Sequence, residues 1–157
     1  MSEPTVSNNE FDDLFDLNDD DLAAPARQDG GGLEKFEGKR ALVVDDNLVN
    51  LEIAAEALEL EDFIVDNAAG GKEAIELVNE RSYDLILLDL FMPEINGLAV
   101  GEAIRASANN SGAKIVIFSA GDKAHIKNAV DVLKADGVVT KPVDIDNLLA
   151  TVNNALQ

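Results

Sequence analysis

The segment DLILLD (84–89) is a run of four branched aliphatic side chains that begins and ends with an aspartate. A run this short and this apolar is typical of a strand that is buried on both faces, as in a parallel sheet. Four similar runs lie on either side of it in the chain, at RALVVD (40–45), FIVD (63–66), KIVIFS (114–119) and GVVT (137–140). The sequence therefore predicts five strands.

Amphipathic stretches separate these runs, with apolar residues at the spacing i, i+3, i+4, i+7 that is typical of a helix. Three of them begin after Asp46, Gly70 and Gly97, and two clearer ones follow the last two strands. Their apolar positions are Ile126, Ala129, Val130 and Leu133, then Ile145, Leu148, Leu149, Val152 and Leu156. Because parallel strands are joined by right-handed crossovers, helices should cover both faces of the sheet. We predict an α/β fold of five βα units, doubly wound around a parallel sheet.

Residues 1–38 differ in composition from the rest of the chain. They hold eleven Asp and Glu against Arg27 and Lys35, together with three consecutive glycines at 30–32. Such a segment buries too little apolar surface to offset the entropy of ordering, so we predict a disordered acidic tail before one domain at 39–157. A simple tether is the plainer interpretation of this tail; the alternative is a partner-binding helical face formed by Phe11, Leu14, Phe15 and Leu22.

The overall composition narrows the classes of partner and site. Thirty-one Asp and Glu against twelve Lys and Arg give a net charge of −19, which disfavours binding to nucleic acid or to an anionic membrane. The absence of cysteine excludes disulfides and thiolate metal sites. The first residues lack the pattern of a secretory signal, and no apolar run approaches the roughly 20 residues of a membrane span. We therefore expect a cytoplasmic protein.

Polar residues stand where the predicted strands end. Asp45 and Asp46 follow the first strand, Asp89 ends the third, Ser119 ends the fourth and Lys141 follows the fifth. Because the carboxyl ends of parallel strands emerge at one edge, these side chains should converge there. Clustered carboxylates require a cation, and donor groups that are all oxygens suit Mg²⁺. With the lysine and the serine, such a site can stabilise a phosphoryl group that is transferred to an aspartate.

Four segments carry a family resemblance. LVVDDNLVN (42–50), DLILLDLFMPEING (84–97), IVIFSAG (115–121) and VVTKPVD (138–144) resemble, in order and spacing, the signature segments of bacterial response-regulator receiver domains. The resemblance covers residues 39–157 and implies a flavodoxin-like sheet with strand order 2-1-3-4-5. It also implies a two-component or phosphorelay function, with a sensor histidine kinase or a histidine phosphotransfer protein as donor and a downstream protein as target. A dimer through the fourth helix, fifth strand and fifth helix is compatible with it.

The same resemblance suggests a metal site. By position, Asp89 matches the phosphoacceptor, and Asp46 and Asp89 match direct magnesium ligands. The backbone carbonyl of Phe91 completes the direct ligands in the family, while Asp45 matches an acid that acts mostly through water. The cofactor expected from the resemblance is therefore Mg²⁺, and the protein is expected to catalyse only its own phosphorylation and dephosphorylation.

The remaining matches concern the phosphoryl group and the switch. Ser119 matches a hydroxyl residue that moves toward the phosphoryl oxygens, and Lys141 matches the family's ammonium group, next to a Lys-Pro bond that is often cis there. The chain departs from the family at Val138, where receivers that switch by a rotating ring carry an aromatic residue. We expect phosphorylation to survive this departure, with coupling to the surface through the loop after Ser119.

Two other functions fit the same fold, and some residues have plainer interpretations. A phosphohydrolase similar to the haloacid-dehalogenase group would use Asp89 as nucleophile, but it needs a second acid where this chain has Phe91. A binding module that is never phosphorylated is the third candidate. Ser119 can simply cap the next helix, His125 is interpreted as a surface residue, and Gly97 is interpreted as serving the start of the third helix.

Overall fold

Residues 36–157 are described in a computed structural model of the protein. The acidic tail predicted at 1–38 lies outside the described residues except for its last three, so its disorder stays a prediction. From Gly38 to Gln157 the chain forms one unit. Among the described helices, none is long and apolar enough to span a membrane.

Strands and helices alternate along the described residues. The strands are β1 (Arg40–Val44), β2 (Ile64–Ala68), β3 (Leu85–Leu88), β4 (Lys114–Ser119) and β5 (Gly137–Thr140). The helices are α1 (Leu48–Leu60), α2 (Gly71–Glu80), α3 (Gly97–Ala106), α4 (Lys123–Leu133) and α5 (Ile145–Ala155).

All strand pairs are parallel, and the order in the sheet is β2-β1-β3-β4-β5. This confirms the predicted doubly wound α/β fold. Every residue of β3 is completely buried, and the apolar residues of β1 and β4 are buried as well. Each buried Leu or Ile contributes about 1.5–3 kcal/mol to folding, so the central strands hold the core together.

One strand lies further along the chain than the sequence predicts. The prediction was residues 63–66, whereas β2 extends from Ile64 to Ala68. Its late start follows from Asp62, whose φ of 74° turns the chain just before the strand. Its later end follows from pairing, because Asp66 and Asn67 lie opposite two residues of β1.

The helices begin close to the carboxyl ends of the strands, where short polar side chains cap them. Asn47 accepts hydrogen bonds from two backbone N–H groups of α1, and Asn96, Asp122 and Asp144 cap α3, α4 and α5. The cap of α4 is thus Asp122 and not Ser119, which removes the plainer interpretation of the serine. These caps fix the loops that surround the carboxyl edge of the sheet.

Gly97 lets α3 start directly against the end of β3. A Cβ atom on this residue would lie 2.1 Å from the carbonyl oxygen of Asp89 and 2.5 Å from the Cα of Leu90. The Gly97 N–H also donates to the Leu90 carbonyl at 2.9 Å. No larger residue fits here, in agreement with the interpretation that Gly97 serves the start of the third helix.

Arg105 joins the far end of α4 to α3 and to the start of β4. Its guanidinium donates to the carbonyl oxygens of Leu133 at 2.7 Å, Lys134 at 3.1 Å and Ala113 at 2.7 Å. A guanidinium suits this position because its planar fork offers five donors and keeps its charge.

Candidate functional site

An open cavity of about 470 Å³ lies at the carboxyl edge of the sheet. Its walls come from the loops after β1, β3, β4 and β5, which confirms that the predicted strand ends converge. The residues that line it are Asp45, Asp46, Asn47, Asn50, Asp89, Phe91, Ala120, Gly121 and Lys141.

Three carboxylates meet in this cavity. One oxygen each from Asp45, Asp46 and Asp89 lies within 4.8 Å of the others. Asp45 and Asp89 are buried, whereas Asp46 is exposed. The sequence predicted this cluster, and strand order explains it, because β1 and β3 are neighbours in the sheet.

Asp45 is held at both oxygens. The Asn47 N–H donates to Oδ1 at 2.9 Å, and Lys141 Nζ lies 2.6 Å from Oδ2. Oδ2 has no hydrogen bond of good geometry and relies on the charge of the ammonium group. A completely buried carboxylate with one oxygen so poorly satisfied is costly unless positive charge is close.

Asp89 presents one oxygen to the cavity. Its Oδ1 accepts a hydrogen bond from the Phe91 N–H at 3.2 Å, and its Oδ2 lies 3.4 Å from Lys141 Nζ. Burial raises the pKa of Asp89, and the nearby Asp45 raises it further, while the Phe91 N–H and Lys141 lower it. The ionised form of Asp89 is therefore disfavoured, because desolvation outweighs the effect of its single ammonium partner.

Lys141 reaches both buried acids from the end of β5. The Lys141-Pro142 bond is cis, as the sequence resemblance implies, and the Lys141 N–H donates to the Ser119 carbonyl at 3.2 Å. The ammonium group also lies 5.1 Å from the centre of the Phe118 ring, a favourable cation–π distance. Counted at their formal charges, three carboxylates and one ammonium give the site a charge of −2.

Ser119 is completely buried at the end of β4, and its side chain is not part of the cavity wall. Its Oγ accepts a hydrogen bond from the Gly121 N–H at 3.2 Å, so the hydroxyl oxygen is bonded to its own loop. Val138, at the position of the family's aromatic residue, is partly buried and packs against the core.

The Phe91 ring lies against Gly121 in the wall of the cavity. A Cβ atom on Gly121 would lie 1.7 Å from Cε2 of this ring, so the ring occupies the space that a side chain would take. The same ring meets His125 edge to face, with centroids 5.7 Å apart. His125 is exposed, as predicted for a surface residue, and its Nδ1 lies 2.7 Å from Asp122 Oδ2.

Sequence reasoning missed four residues of the cavity wall, which are Asn47, Asn50, Ala120 and Gly121. The two asparagines belong to the first turn of α1 and its cap, directly after the acid pair. An asparagine in that position is a recognisable helix start, which could have placed both at the cavity. The closeness of Gly121 to Phe91 depends on tertiary packing and left no local signal.

Comparison with known proteins identifies the family. The family model described as "Response regulator receiver domain" matches residues 41–153 of the chain. The chain belongs to the response-regulator receiver family. Receiver domains are signalling domains of two-component systems, so the resemblance read from the four sequence segments is confirmed.

Relatives of this receiver include single-domain and longer proteins. The response regulator ArlR of Staphylococcus saprophyticus is 36% identical over 75% of this chain and 52% of its own length. The chemotaxis protein CheY of Halobacterium salinarum is 33% identical over 75% of the chain and 97% of its own length. The chain thus spans about half the length of ArlR and nearly all of CheY.

A solved structure supports both the family and the fold. TrrA of Thermotoga maritima, determined in complex with Mg²⁺-BeF, is 35% identical and superposes with a TM-score of 0.66. The match covers 75% of this chain and 99% of the TrrA chain.

Proposed function

We propose that Asp89 of this receiver accepts a phosphoryl group from a phosphohistidine, in a site that binds Mg²⁺. The observation that carries the proposal is the cluster of three carboxylate oxygens within 4.8 Å of one another, with Lys141 beside two of them. An acidic cluster of this kind repels an anionic phosphoryl group unless positive charge is added.

The donor set fits a magnesium ion. The clustered side chains offer only oxygen ligands, and the poorly satisfied Oδ2 of buried Asp45 calls for more positive charge than one lysine supplies. Asp46 and Asp89, with the backbone carbonyl of Phe91, would hold the ion, and Asp45 would act mostly through water. Bound there, Mg²⁺ supplies neutralisation of the acids and of the phosphoryl oxygens. The relative TrrA, solved with Mg²⁺-BeF, supports this choice.

The transfer step follows from the orientation of Asp89. Because the Phe91 N–H holds Oδ1, Oδ2 is the oxygen that attacks the phosphorus atom. The O–P bond forms as the P–N bond of the phosphohistidine breaks, and its electron pair stays on the imidazole nitrogen. Lys141, 3.4 Å from Oδ2, neutralises charge on the phosphoryl oxygens, and the Ser119 hydroxyl turns from Gly121 toward them.

The switch runs through the loop after β4. Turning of the Ser119 hydroxyl breaks its hydrogen bond to the Gly121 N–H, which releases the start of the loop that leads into α4. Val138 has no ring to rotate and stays packed against the core. The changed surface near α4 is then what a downstream protein binds, and a dimer through α4, β5 and α5 is an alternative output. Loss of the phosphoryl group by its own hydrolysis belongs to the same proposal.

Labelling with acetyl phosphate tests the phosphoacceptor. With Mg²⁺, intact-mass measurement should show one added phosphoryl group on the wild type and on Asp146→Asn, an exposed control on α5, but none on Asp89→Asn. Chelation of Mg²⁺ should abolish labelling. Continuous turnover of acetyl phosphate far beyond one equivalent would support the phosphohydrolase, and a protein that never gains mass would be the unphosphorylated binding module.

The first turn of α1 supplies a docking surface for the phosphodonor. Leu48 and Val49 are 69% and 63% exposed, and they directly follow the acid pair and Asn47, which line the cavity. Exposed large apolar side chains next to a phosphorylation site suit contact with a sensor kinase or a phosphotransfer protein. The expected absence of nucleic acid partners and the cytoplasmic location stay predictions from charge and composition.

A pair of substitutions on α1 tests this docking surface. Leu48→Asp should slow phosphotransfer from a phosphohistidine protein about tenfold, as expected for loss of one buried anchor, and leave labelling by acetyl phosphate unchanged. Leu60→Asp is the matched control, because Leu60 is 83% exposed at the other end of the same helix. Equal slowing by both substitutions would contradict the assignment.

A further inference from the structure

One side-chain amide takes no part in the chemistry proposed above, although it stands in the wall of the acidic cavity, which is the cavity lined by Asp45, Asp46 and Asp89. It belongs to Asn50, a partly buried residue in the first turn of α1. Within residues 36–157, no group forms a hydrogen bond with this amide. Its two N–H donors and its carbonyl acceptor are therefore available to a group that enters the cavity.

Hydrogen bonds fix the backbone of Asn50 relative to the buried acid Asp45. The Asn47 N–H donates to Asp45 Oδ1 at 2.9 Å, and the Asn47 side chain in turn accepts from the Asn50 N–H at 3.1 Å. The next residue, Leu51, is buried in the core, and its N–H donates to the Asn47 carbonyl at 3.1 Å. A side chain on backbone that is already fixed pays a smaller entropic cost when it binds a group in the cavity.

Plainer structural roles do not account for this amide. The side chain that caps α1 is that of Asn47, so the fold does not use Asn50 as a cap. Asn50 is also not one of the buried polar residues of the core. Asparagine is a poorer helix former than alanine, so helix formation gives no reason for it either. The cavity is therefore where the amide can act.

The charge of the cavity favours the donor side of the amide. Three carboxylates and one ammonium have a formal charge of −2, so acceptors outnumber donors in the wall. A phosphoryl group on Asp89 adds three more acceptor oxygens, and the side chains proposed to meet them are Lys141 and Ser119. An amide N–H supplies a further donor without adding negative charge. A hydrogen bond to an anionic oxygen is also roughly twice as strong as one between neutral groups.

We propose that the side chain of Asn50 donates a hydrogen bond from its amide N–H to an oxygen of the phosphoryl group on Asp89. The inference rests on the function proposed above and adds a donor to those of Lys141 and Ser119. No bond to Asn50 forms or breaks, because the amide only binds the group that Asp89 carries. Removal of the amide should weaken binding of a phosphoryl mimic and leave folding intact, since the fold loses no hydrogen bond.

Binding of BeF₃⁻, a mimic of the phosphoryl group, tests the inference at saturating Mg²⁺ without a phosphodonor. The titration is followed by the NMR signal of the Ala120 methyl group, which lies in the cavity wall. Asn50→Ala should bind BeF₃⁻ about tenfold more weakly than the wild type, as expected for loss of one hydrogen bond to a charged group. Asn50→Asp puts a fourth carboxylate in place of the donor and should bind more weakly still. Asn154→Ala, at an exposed position on α5, is the control and should bind like the wild type.

Two further measurements separate this role from others. In Asn50→Ala, the affinity for Mg²⁺ without BeF₃⁻ should stay within about twofold of the wild type, and stability in urea should not fall. Equal BeF₃⁻ affinity of the wild type and Asn50→Ala would overturn the inference alone. A parallel loss of Mg²⁺ affinity would overturn it by placing the amide on the metal, and a loss of stability would overturn it by showing a structural role. A wild type that binds no BeF₃⁻ would contradict the proposed function, and this inference with it.

Discussion

Substitution of Gly121 by alanine is expected to push the Phe91 ring away from residue 121, in the wall of the cavity that holds Asp45, Asp46 and Asp89. The added Cβ would lie 1.7 Å from Cε2, 2.4 Å from Cζ and 2.7 Å from Cδ2 of that ring. Carbon atoms in contact stand about 3.5–4.0 Å apart, so the ring must retreat by about 2 Å. The backbone of Gly121 lies outside the positive-φ region, and the three atoms nearest to the added Cβ all belong to the Phe91 ring, which is therefore the main obstacle to the alanine.

The expected loss of folding stability equals the contributions of the contacts that the Phe91 ring gives up. Phe91 is 47% exposed, so about half of its side chain is buried, which stabilises the fold by roughly 1 kcal/mol. Its edge-to-face contact with His125 adds about 0.5–1.5 kcal/mol. Gly121→Ala and Phe91→Ala should therefore each lower the free energy of unfolding by about 1–2 kcal/mol, because each gives up the same contacts.

The double variant, Gly121→Ala with Phe91→Ala, tests whether both substitutions act through the same contacts of the ring. Phe91→Ala removes the three atoms closest to the methyl group added at Gly121, so the double variant should be no less stable than Phe91→Ala alone. Urea unfolding of the wild type, both single variants and the double variant measures the coupling, expected to be about 1–2 kcal/mol. Simple additivity of the two single effects would refute the account. In phosphorylated protein, both single variants should lose the phosphoryl group about fivefold faster, as water gains access.

Three further predictions concern stability. Burial raises the pKa of Asp89, so the protonated side chain stabilises the fold relative to the ionised one. This stabilisation is fully present below the unfolded pKa of about 4 and is lost as pH rises through the folded pKa. Asp89→Asn should therefore unfold at a higher temperature than the wild type at pH 7 without Mg²⁺, and the difference should shrink toward pH 4 in calorimetric scans; a constant difference would contradict this. Gly97→Ala should cost about 2–4 kcal/mol in urea unfolding, because its Cβ meets backbone atoms that cannot move aside, and a loss below 1 kcal/mol would count against that geometry. Asn110→Ala should cost about 2–3 kcal/mol by the same measurement, since buried Asn110 accepts from the Tyr83 N–H and donates to the Arg81 carbonyl, whereas an unchanged stability would show that water replaces it.

The central strands could be predicted from sequence because burial on both faces leaves an unbroken apolar run. Leu85–Leu88 is completely buried, and all four of its residues are apolar in the sequence. The edge strand β2 is different, since it pairs on one side only and carries Asp66 and Asn67 in its second half. Asp66 can stay there because it accepts hydrogen bonds from Tyr83 and from the guanidinium of Arg81. No local sequence pattern predicts hydrogen-bond partners that lie so far along the chain.

The composition of the site was predictable, whereas its internal pairing was not. Parallel topology brings every strand end to one edge, so the convergence of Asp45, Asp89 and Lys141 follows from order alone. In the structure, however, Lys141 lies closer to Asp45, at 2.6 Å, than to Asp89, at 3.4 Å. Which acid a flexible lysine prefers depends on burial and on competing hydrogen bonds, and these are fixed only once the fold is complete.

The guanidinium of Arg105 determines how α4 can move. It fastens the C-terminal end of this helix, at Leu133 and Lys134, while the N-terminal end carries Asp122 and His125 near the acidic cavity. A helix held at one end can pivot about that end, so the displacement of its residues grows with their distance from Arg105. The largest displacement should then occur beside Phe91, so the distance between the first turns of α3 and α4 should change with the phosphorylation of Asp89.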